Sequence, residues 1–220
     1  MPILLAFTAA AADTISFLTL SHLFTAHVTG NFVILGAALV LHQPVGMWSK
    51  IAAVPVFFLG ILLAGIAAER MPRGRACLLL GCELLLLLGA CAITLSHGPF
   101  KDADAAWPFS AAMLMVLAMA VQNAFGPLAL PKAPPTTALT SSTTLFFVDL
   151  AQLLVRPAED RDSRHAASRQ ARRIGWQILG FLLGCAAAAG CVALAPNWSL
   201  LLPIAGVAAS LGAMVLGRGR

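Results

Sequence analysis

The sequence has little charge, few cysteines and no familiar catalytic motif. Only 10% of its 220 residues are charged and 60% are hydrophobic, whereas soluble globular proteins carry about 25% charged residues. A water-soluble domain is therefore excluded, and the apolar content also excludes a disordered chain. Five cysteines without clustered spacing argue against a secreted disulfide scaffold. What remains is an all-α polytopic protein, a single membrane domain over residues 1–220 in contact with the lipid bilayer.

Motifs of enzymes and cofactor-binding proteins are missing as well. The histidines form no i, i+4 pair, the cysteines form no CxxC motif, and the sequence contains no phosphate-binding loop, GxSxG or GxGxxG motif. We therefore predict that the protein is not an enzyme and that it binds no metal and no cofactor.

Basic residues outnumber acidic residues by 14 to 9. Six of the 14 lie between positions 156 and 173, which predicts a basic cytoplasmic loop over 156–173, because basic loops of membrane proteins remain in the cytoplasm. Topology thus explains the excess, and we predict no nucleic-acid partner.

Five apolar stretches are each long enough to cross a membrane: 51–68, 76–97, 107–130, 174–195 and 198–216. Only Pro196 and Asn197 separate the last two, which predicts a tight helical hairpin. The first twelve residues lack the basic start of a signal peptide and continue into a further apolar run, so we assign them to the first membrane segment.

Two regions must contain interrupted helices. Residues 14–49 include no Asp, Glu, Lys or Arg, and as one helix they would be about 54 Å long, against a ~30 Å hydrocarbon core. We predict segments at 2–20 and 30–42 with a break near 20–30. A second break is predicted near 127–143. The prolines of PLALPKAPP lack backbone N–H donors, and a run of threonines and serines follows.

The two halves of the sequence resemble each other. Thr29-Gly30-Asn31 aligns with Thr140-Ser141-Ser142, and 59–63 aligns with 179–183. This ordered series predicts two internal repeats, at 1–97 and 107–217. Gly180 and Gly184, with Gly60 and Ala64 in the first half, have the spacing of closely packed helices.

The distribution of Lys and Arg between the two sides of the membrane distinguishes two possible topologies. If all eight apolar segments cross, 10 basic residues lie on one side and 4 on the other; if each interrupted pair makes one net crossing, the division is 12 and 2. The second topology separates charge better and gives halves of opposite orientation, as in many transporters. We favour about six net crossings and inverted repeats, with eight crossings as the alternative.

Three carboxylates occur in predicted membrane segments: Asp13, Glu83 and Asp149. A charge at mid-bilayer costs at least ~2.5–3.5 kcal/mol, so such residues usually face protein or water. Asp13 is a candidate ligand contact or coupling carboxylate, with a structural hydrogen bond as the alternative. Glu83 is expected to be protonated and bonded to a neighbouring helix, and Asp149 to pair with Arg156 or to serve function.

Polar residues gather at both predicted breaks. Thr29, Gly30 and Asn31 lie at a helix start, where free N–H groups favour an anion, although N-capping alone would also explain such residues. Two breaks at matched positions predict a substrate site between the repeats. We assign to it Asp13, Thr29, Gly30, Asn31, Gln122, Asn123, Thr140 and Ser141.

The sequence resembles the YoaK-like family of bacterial integral membrane proteins, whose function is unassigned. The resemblance rests on four features in order: Asp13 before an apolar run, Phe24 before Thr29-Gly30-Asn31, Gln122-Asn123-Ala124, and threonines around Thr140. Family members tend to repeat a TG-type motif where this chain has Thr140-Ser141. The resemblance implies a multi-pass protein of the bacterial inner membrane and leaves the chemistry open.

Two functions remain open at this stage. The first is a small-solute or ion transporter with a site between the interrupted helices, driven by an ion gradient or passive, because no ATP-binding motif is present. The second is a non-transporting assembly or partner subunit in which the polar groups hold helices together. Homo-oligomerisation is compatible with both.

Overall fold

The computed structural model describes residues 1–42, 46–102, 104–130, 139–155 and 161–218. These residues form eight α-helices and a 3₁₀ turn at Pro196–Trp198. The helices are α1 (Pro2–Thr19), α2 (Gly30–Leu41), α3 (Met47–Arg70), α4 (Arg75–His97), α5 (Ala106–Ala129), α6 (Leu139–Val155), α7 (Arg161–Leu194) and α8 (Leu201–Arg218). Within this part of the chain there is no β-strand. Six of the helices, all except α2 and α6, are long and apolar enough to cross a membrane. The predicted all-α, multi-pass architecture is confirmed.

Both predicted interruptions are present. α1 ends at Thr19 and α2 begins at Gly30, while α5 ends at Ala129 and α6 begins at Leu139. Most of the proline-rich stretch, 131–138, lies outside the described residues. Pro127, at the start of the predicted break, falls within the last turn of α5, where the helix loses one hydrogen bond shortly before its end.

The loop predicted at 156–173 is wrong over its described part. Residues 156–160 lie outside the description, but Arg161 already begins α7. Ala167, Ala171 and Ile174 are buried along this stretch, and their spacing places them on one helix face. Charge keeps a segment out of the hydrocarbon but does not oppose helix formation, so α7 extends beyond its apolar portion.

The first helix of each half packs against the other half. α1 packs mainly on α7 and also on α8, whereas α5 packs on α4 and α3. The predicted close glycine contacts are confirmed: a Cβ at Gly60 would lie 2.7 Å from the Cβ of Ala120, and one at Gly180 would lie 2.7 Å from the carbonyl oxygen of Ile3. Close approach of this kind brings helix backbones together in lipid.

Two contacts agree with six crossings. A Cβ at Gly98, just after α4, would lie 3.0 Å from Oδ1 of Asn197 in the α7–α8 turn. The side-chain amide of Gln122, towards the end of α5, donates to the carbonyl oxygen of Leu5 near the start of α1 at 2.7 Å. Six crossings put the partners of each pair on the same side of the bilayer, whereas eight would put them towards opposite sides.

Candidate binding site

The carboxylate of Asp13 holds the chain segment between α1 and α2. Its Oδ1 accepts hydrogen bonds from the backbone N–H of Thr25 at 2.7 Å and of Ala26 at 2.6 Å, and from the Thr25 hydroxyl at 3.1 Å. Its Oδ2 accepts from the backbone N–H of His27 at 3.2 Å and lies 2.5 Å from the Nδ1 of that residue. Both oxygens of this buried side chain therefore meet donors from the segment between α1 and α2.

A second set of contacts closes the same segment. Oδ1 of Asn31 accepts from the backbone N–H of Phe24 at 2.9 Å, and its Nδ2 donates to the Phe24 carbonyl at 2.8 Å. The Ser16 hydroxyl donates to the carbonyl of Leu23 at 2.9 Å. A Cβ at Gly30 would lie 2.9 Å from the Phe24 ring, so the ring leaves no room for a larger residue there.

The N–H groups at the start of α2 are already bonded within the chain. Those of Gly30, Asn31 and Phe32 donate to carbonyls three residues earlier. The sequence predicted an anion at this break. The structure places the Asp13 carboxylate there, bonded to the residues that precede the helix.

A cavity of about 180 Å³ lies beside this segment. Its polar wall consists of His27, Thr29 and Asn123. The apolar lining is formed by Ala26, Val28, Phe32, Val54, Phe57 and Phe58. Pockets for drug-sized molecules measure about 300–1,000 Å³, so this one suits a smaller ligand.

His27 connects the cavity to the buried carboxylate. Its side chain is 35% exposed, and its ring makes an edge contact with Phe181 of α7 at a centroid distance of 5.8 Å. When Nδ1 donates to Asp13, Nε2 accepts in the neutral ring and donates in the protonated ring. An imidazole held in this way, a hydroxyl and an amide can recognise a small polar molecule.

The structure brings together some of the predicted site residues. Thr29 and Asn123 line the cavity, and Asp13 lies behind His27. Gly30 and Asn31 shape the segment that forms its wall. Gln122 is fully buried and turned towards α1, away from the cavity lining. Thr140 and Ser141 are exposed near the start of α6 and are absent from the cavity lining.

The other two membrane carboxylates lie apart from this cavity. Glu83 in α4 is 0% exposed, and neither of its oxygens has a hydrogen-bond partner among the described residues. The expected bond to a neighbouring helix is thus not seen in this part of the chain. Asp149 in α6 is buried, and its Oδ2 also lacks a described partner. Arg156, its predicted partner, lies outside the described residues.

Sequence reasoning missed His27 as a site residue. The sequence feature that could have indicated it is that His27 and Asp13 lie close together in a stretch with almost no other charged residue. An acid and an imidazole in apolar surroundings tend to pair. The aromatic side chains that α3 contributes had no comparable signal. No group of three His, Cys, Asp or Glu residues that could hold a metal is found in the described ranges.

Comparison with known proteins gives a family and a partial relative. A family model described as "Protein of unknown function (DUF1275)" matches residues 1–213. The UPF0700 transmembrane protein YoaK of Bacillus subtilis (strain 168) is 39% identical over 61 residues, which cover 28% of this chain and 27% of that protein. No solved structure matches. The resemblance identified from the sequence is confirmed.

Proposed function

This chain belongs to the family described as protein of unknown function (DUF1275), and we propose that it is a membrane transporter for a small polar solute or ion. The proposed site is the cavity lined by His27, Thr29 and Asn123. One observation carries the proposal: an interrupted helix and a neighbouring span contribute polar groups to a single small cavity. Broken helices frame substrate sites in many secondary transporters.

The nature of the cavity supports a small, polar, uncharged or weakly charged substrate. Its polar groups are an imidazole, a hydroxyl and an amide, and no lysine or arginine is among the described residues that line it. The buried carboxylate behind His27 already accepts hydrogen bonds from three backbone N–H groups. The ligand would therefore meet His27 and the amide rather than a bare charge.

The first helix of each half packs against the other half, and this arrangement supports an inverted repeat. The packing of α1 against α7 and α8 corresponds to the packing of α5 against α3 and α4, which is the pattern expected when two repeats are related by a pseudo-twofold axis. In transporters of this kind, rocking of one repeat against the other opens the site to alternate sides. The repeat and the alternating access belong to the proposal.

The proposal also includes a location and a mode of action. The protein would lie in a bacterial inner membrane, contact lipid, and move its ligand without chemical conversion. The exposed apolar side chains of α2 and α6 suit lipid and a second copy of the chain equally, so the proposal does not depend on homo-oligomerisation.

A thermal-shift screen of the purified protein against ions and small metabolites tests the site. Asn123→Ala is expected to weaken binding of any hit about tenfold, the equivalent of one lost hydrogen bond. Thr140→Ala is the matched control, because Thr140 is exposed near the start of α6 and lies outside the cavity lining. The proposed site would be contradicted if both variants lost the same affinity for the hit, or if neither lost any.

Uptake of the same hit into proteoliposomes then tests transport. Accumulation that requires the protein and is reduced in Asn123→Ala is expected. A ligand that binds but never enters the vesicles would favour the second candidate function, a non-transporting assembly or partner subunit. The observation that favours this second function is that Asp13 and Asn31 form their hydrogen bonds with the protein's own backbone.

A further inference from the structure

Glu83 lies in the interior of the helix bundle, away from the cavity. It is 0% exposed and belongs to the buried stripe of α4 that includes Leu79, Leu80 and Leu87. Neither carboxyl oxygen has a hydrogen-bond partner within the described part of the chain. This contrasts with Asp13, whose two oxygens are surrounded by donors.

The elements that pack against α4 supply no charge at this level. They are α3, α5, α8 and the 3₁₀ turn, and neither α5 nor the turn contains an Asp, Glu, Lys, Arg or His. In α8 such a residue occurs only at the last position, Arg218. In α3 they lie at the two ends: Lys50, Glu69 and Arg70. Since α3 and α4 are joined by a short connection, Glu83 lies level with the middle of α3, more than two helical turns from either end.

The same is true along α4 itself. Its ionisable residues other than Glu83 are Arg75 and His97 at the ends and three cysteines, Cys77, Cys82 and Cys91. None of these supplies a fixed positive charge beside the carboxyl group, because Arg75 lies two turns away. Among the described residues, nothing would therefore compensate an ionised Glu83 in this conformation.

Gln122 provides a nearby acceptor. Gly89 of α4 lies against Leu114 of α5, and because the two helices are antiparallel, Glu83 lies at the level of Ala120, less than one turn from Gln122. The amide nitrogen of Gln122 donates to Leu5, but its Oε1 is buried and has no described partner. The buried side-chain atoms that lack a described partner at this depth of the bundle are thus all acceptors.

We propose that the Glu83 carboxyl group is a proton-binding site, occupied in this conformation, that couples the proposed transport to proton movement. One proton converts the carboxylate to a neutral acid and removes a charge that no described residue at this depth compensates. Release requires a conformation in which water reaches α4, where the proton leaves and the carboxylate is hydrated. The coupling rests on the proposed function, whereas occupancy by a proton does not.

Labelling with dicyclohexylcarbodiimide, which reacts with protonated carboxyl groups in apolar surroundings, tests the proton site alone. Purified protein in lipid is treated at acidic and alkaline pH, and modified peptides are quantified by mass spectrometry. Modification at Glu83 is expected to exceed that at Asp13 by roughly a hundredfold, because the oxygens of Asp13 are occupied by hydrogen-bond donors and those of Glu83 have no described donor. Equal modification of the two residues would overturn the site, and protection by sodium ions at constant pH would show that it holds a metal cation instead of a proton.

The conservative variant Glu83→Gln resembles the protonated acid in shape and provides a second measurement. The infrared carbonyl band of a protonated carboxylic acid is expected in the wild-type protein and to be lost in this variant, whereas Asp149→Asn should retain it. Loss of the band in Asp149→Asn and its retention in Glu83→Gln would reassign the proton and overturn the proposal.

Coupling is tested with a solute identified by the thermal-shift screen. An imposed pH gradient is expected to accelerate its uptake several-fold in wild-type proteoliposomes and to have no effect in Glu83→Gln. Gradient-driven uptake that persists in the variant would overturn coupling through Glu83. If no solute binds, the proposed function fails, while the labelling and infrared results still decide whether Glu83 carries a proton.

Discussion

Nδ1 of His27 lies 2.5 Å from Oδ2 of Asp13, so an imidazole on the cavity wall is held by a carboxylate on the preceding helix. The two residues are fourteen positions apart, and the chain between them turns back through two residues with left-handed backbone angles, Ser21 and His22. The carboxylate thereby fixes both the path of the segment and the orientation of the ring.

Replacing Asp13 by Asn should destabilise the protein. An amide offers one acceptor oxygen and turns its NH₂ group towards donors that previously met an oxygen. We expect a loss of roughly 2–3 kcal/mol in unfolding free energy, the cost of disrupting buried hydrogen bonds to a charged group. Thermal unfolding in detergent measures it, with Asp149→Asn as the control, since one oxygen of Asp149 has no described partner to lose. Unchanged stability in Asp13→Asn would contradict the structural role.

Asn31→Ala should open the segment between α1 and α2. Both hydrogen bonds to Phe24 are lost, and two partly buried backbone groups lose their partners, which costs about 1–3 kcal/mol. Proteolysis near residues 20–29 should accelerate together with a fall in the unfolding temperature. Asn197→Ala, which replaces the same residue type in the α7–α8 turn, is the comparison, and the interpretation fails if both variants behave alike.

Gly184→Ala and Gly190→Ala form a matched pair on α7. A Cβ at Gly184 would overlap the carbonyl oxygen of Phe7 and lie 3.0 Å from the Cβ of Ala10, whereas one at Gly190 meets nothing within 4 Å. The first change should destabilise the contact of α1 with α7 by about 1–3 kcal/mol. The second should be neutral or stabilise the helix by up to about 1 kcal/mol. The reverse order of unfolding temperatures would show that these helices do not pack as described.

Single cysteines should report the six-crossing topology. In a background lacking the five native cysteines, Lys101→Cys should react with a membrane-impermeant maleimide from outside intact cells. Arg172→Cys should react only after the membrane is permeabilised, because basic segments remain cytoplasmic. Both positions are exposed. Reaction of both from the same side would favour eight crossings.

Composition and hydropathy were sufficient to predict the membrane class, the spans and both interruptions. These features follow from local chemistry: apolar length sets a span, and a long uncharged run that exceeds the bilayer must break. The beginning of α7 could not be predicted in this way, because Arg161 and its neighbours form a helix stabilised by buried Ala167 and Ala171, and polarity alone does not distinguish such a helix from a loop.

The candidate site was predictable only where it depends on local motifs. Thr29 and Asn123 were expected to share a site, and they line one cavity. The contribution of Phe57 depends on how α3 packs against α5, which one sequence does not specify. The roles of Gly30 and Asn31 also differ from a ligand contact, because a residue that shapes a turn and one that binds a solute have the same polar signature in sequence.

The packing of α1 against the second half of the chain has a consequence for biogenesis. α1, with its four buried alanines at 9–12, is synthesised before the other helices that the structure describes, yet it packs mainly on α7 and α8, which follow much later in the chain. During insertion α1 must therefore remain in the lipid or against the translocation machinery until α7 and α8 have been synthesised. Nascent chains halted after α6 should therefore be targets for quality-control proteases, whereas chains that include α8 should escape them.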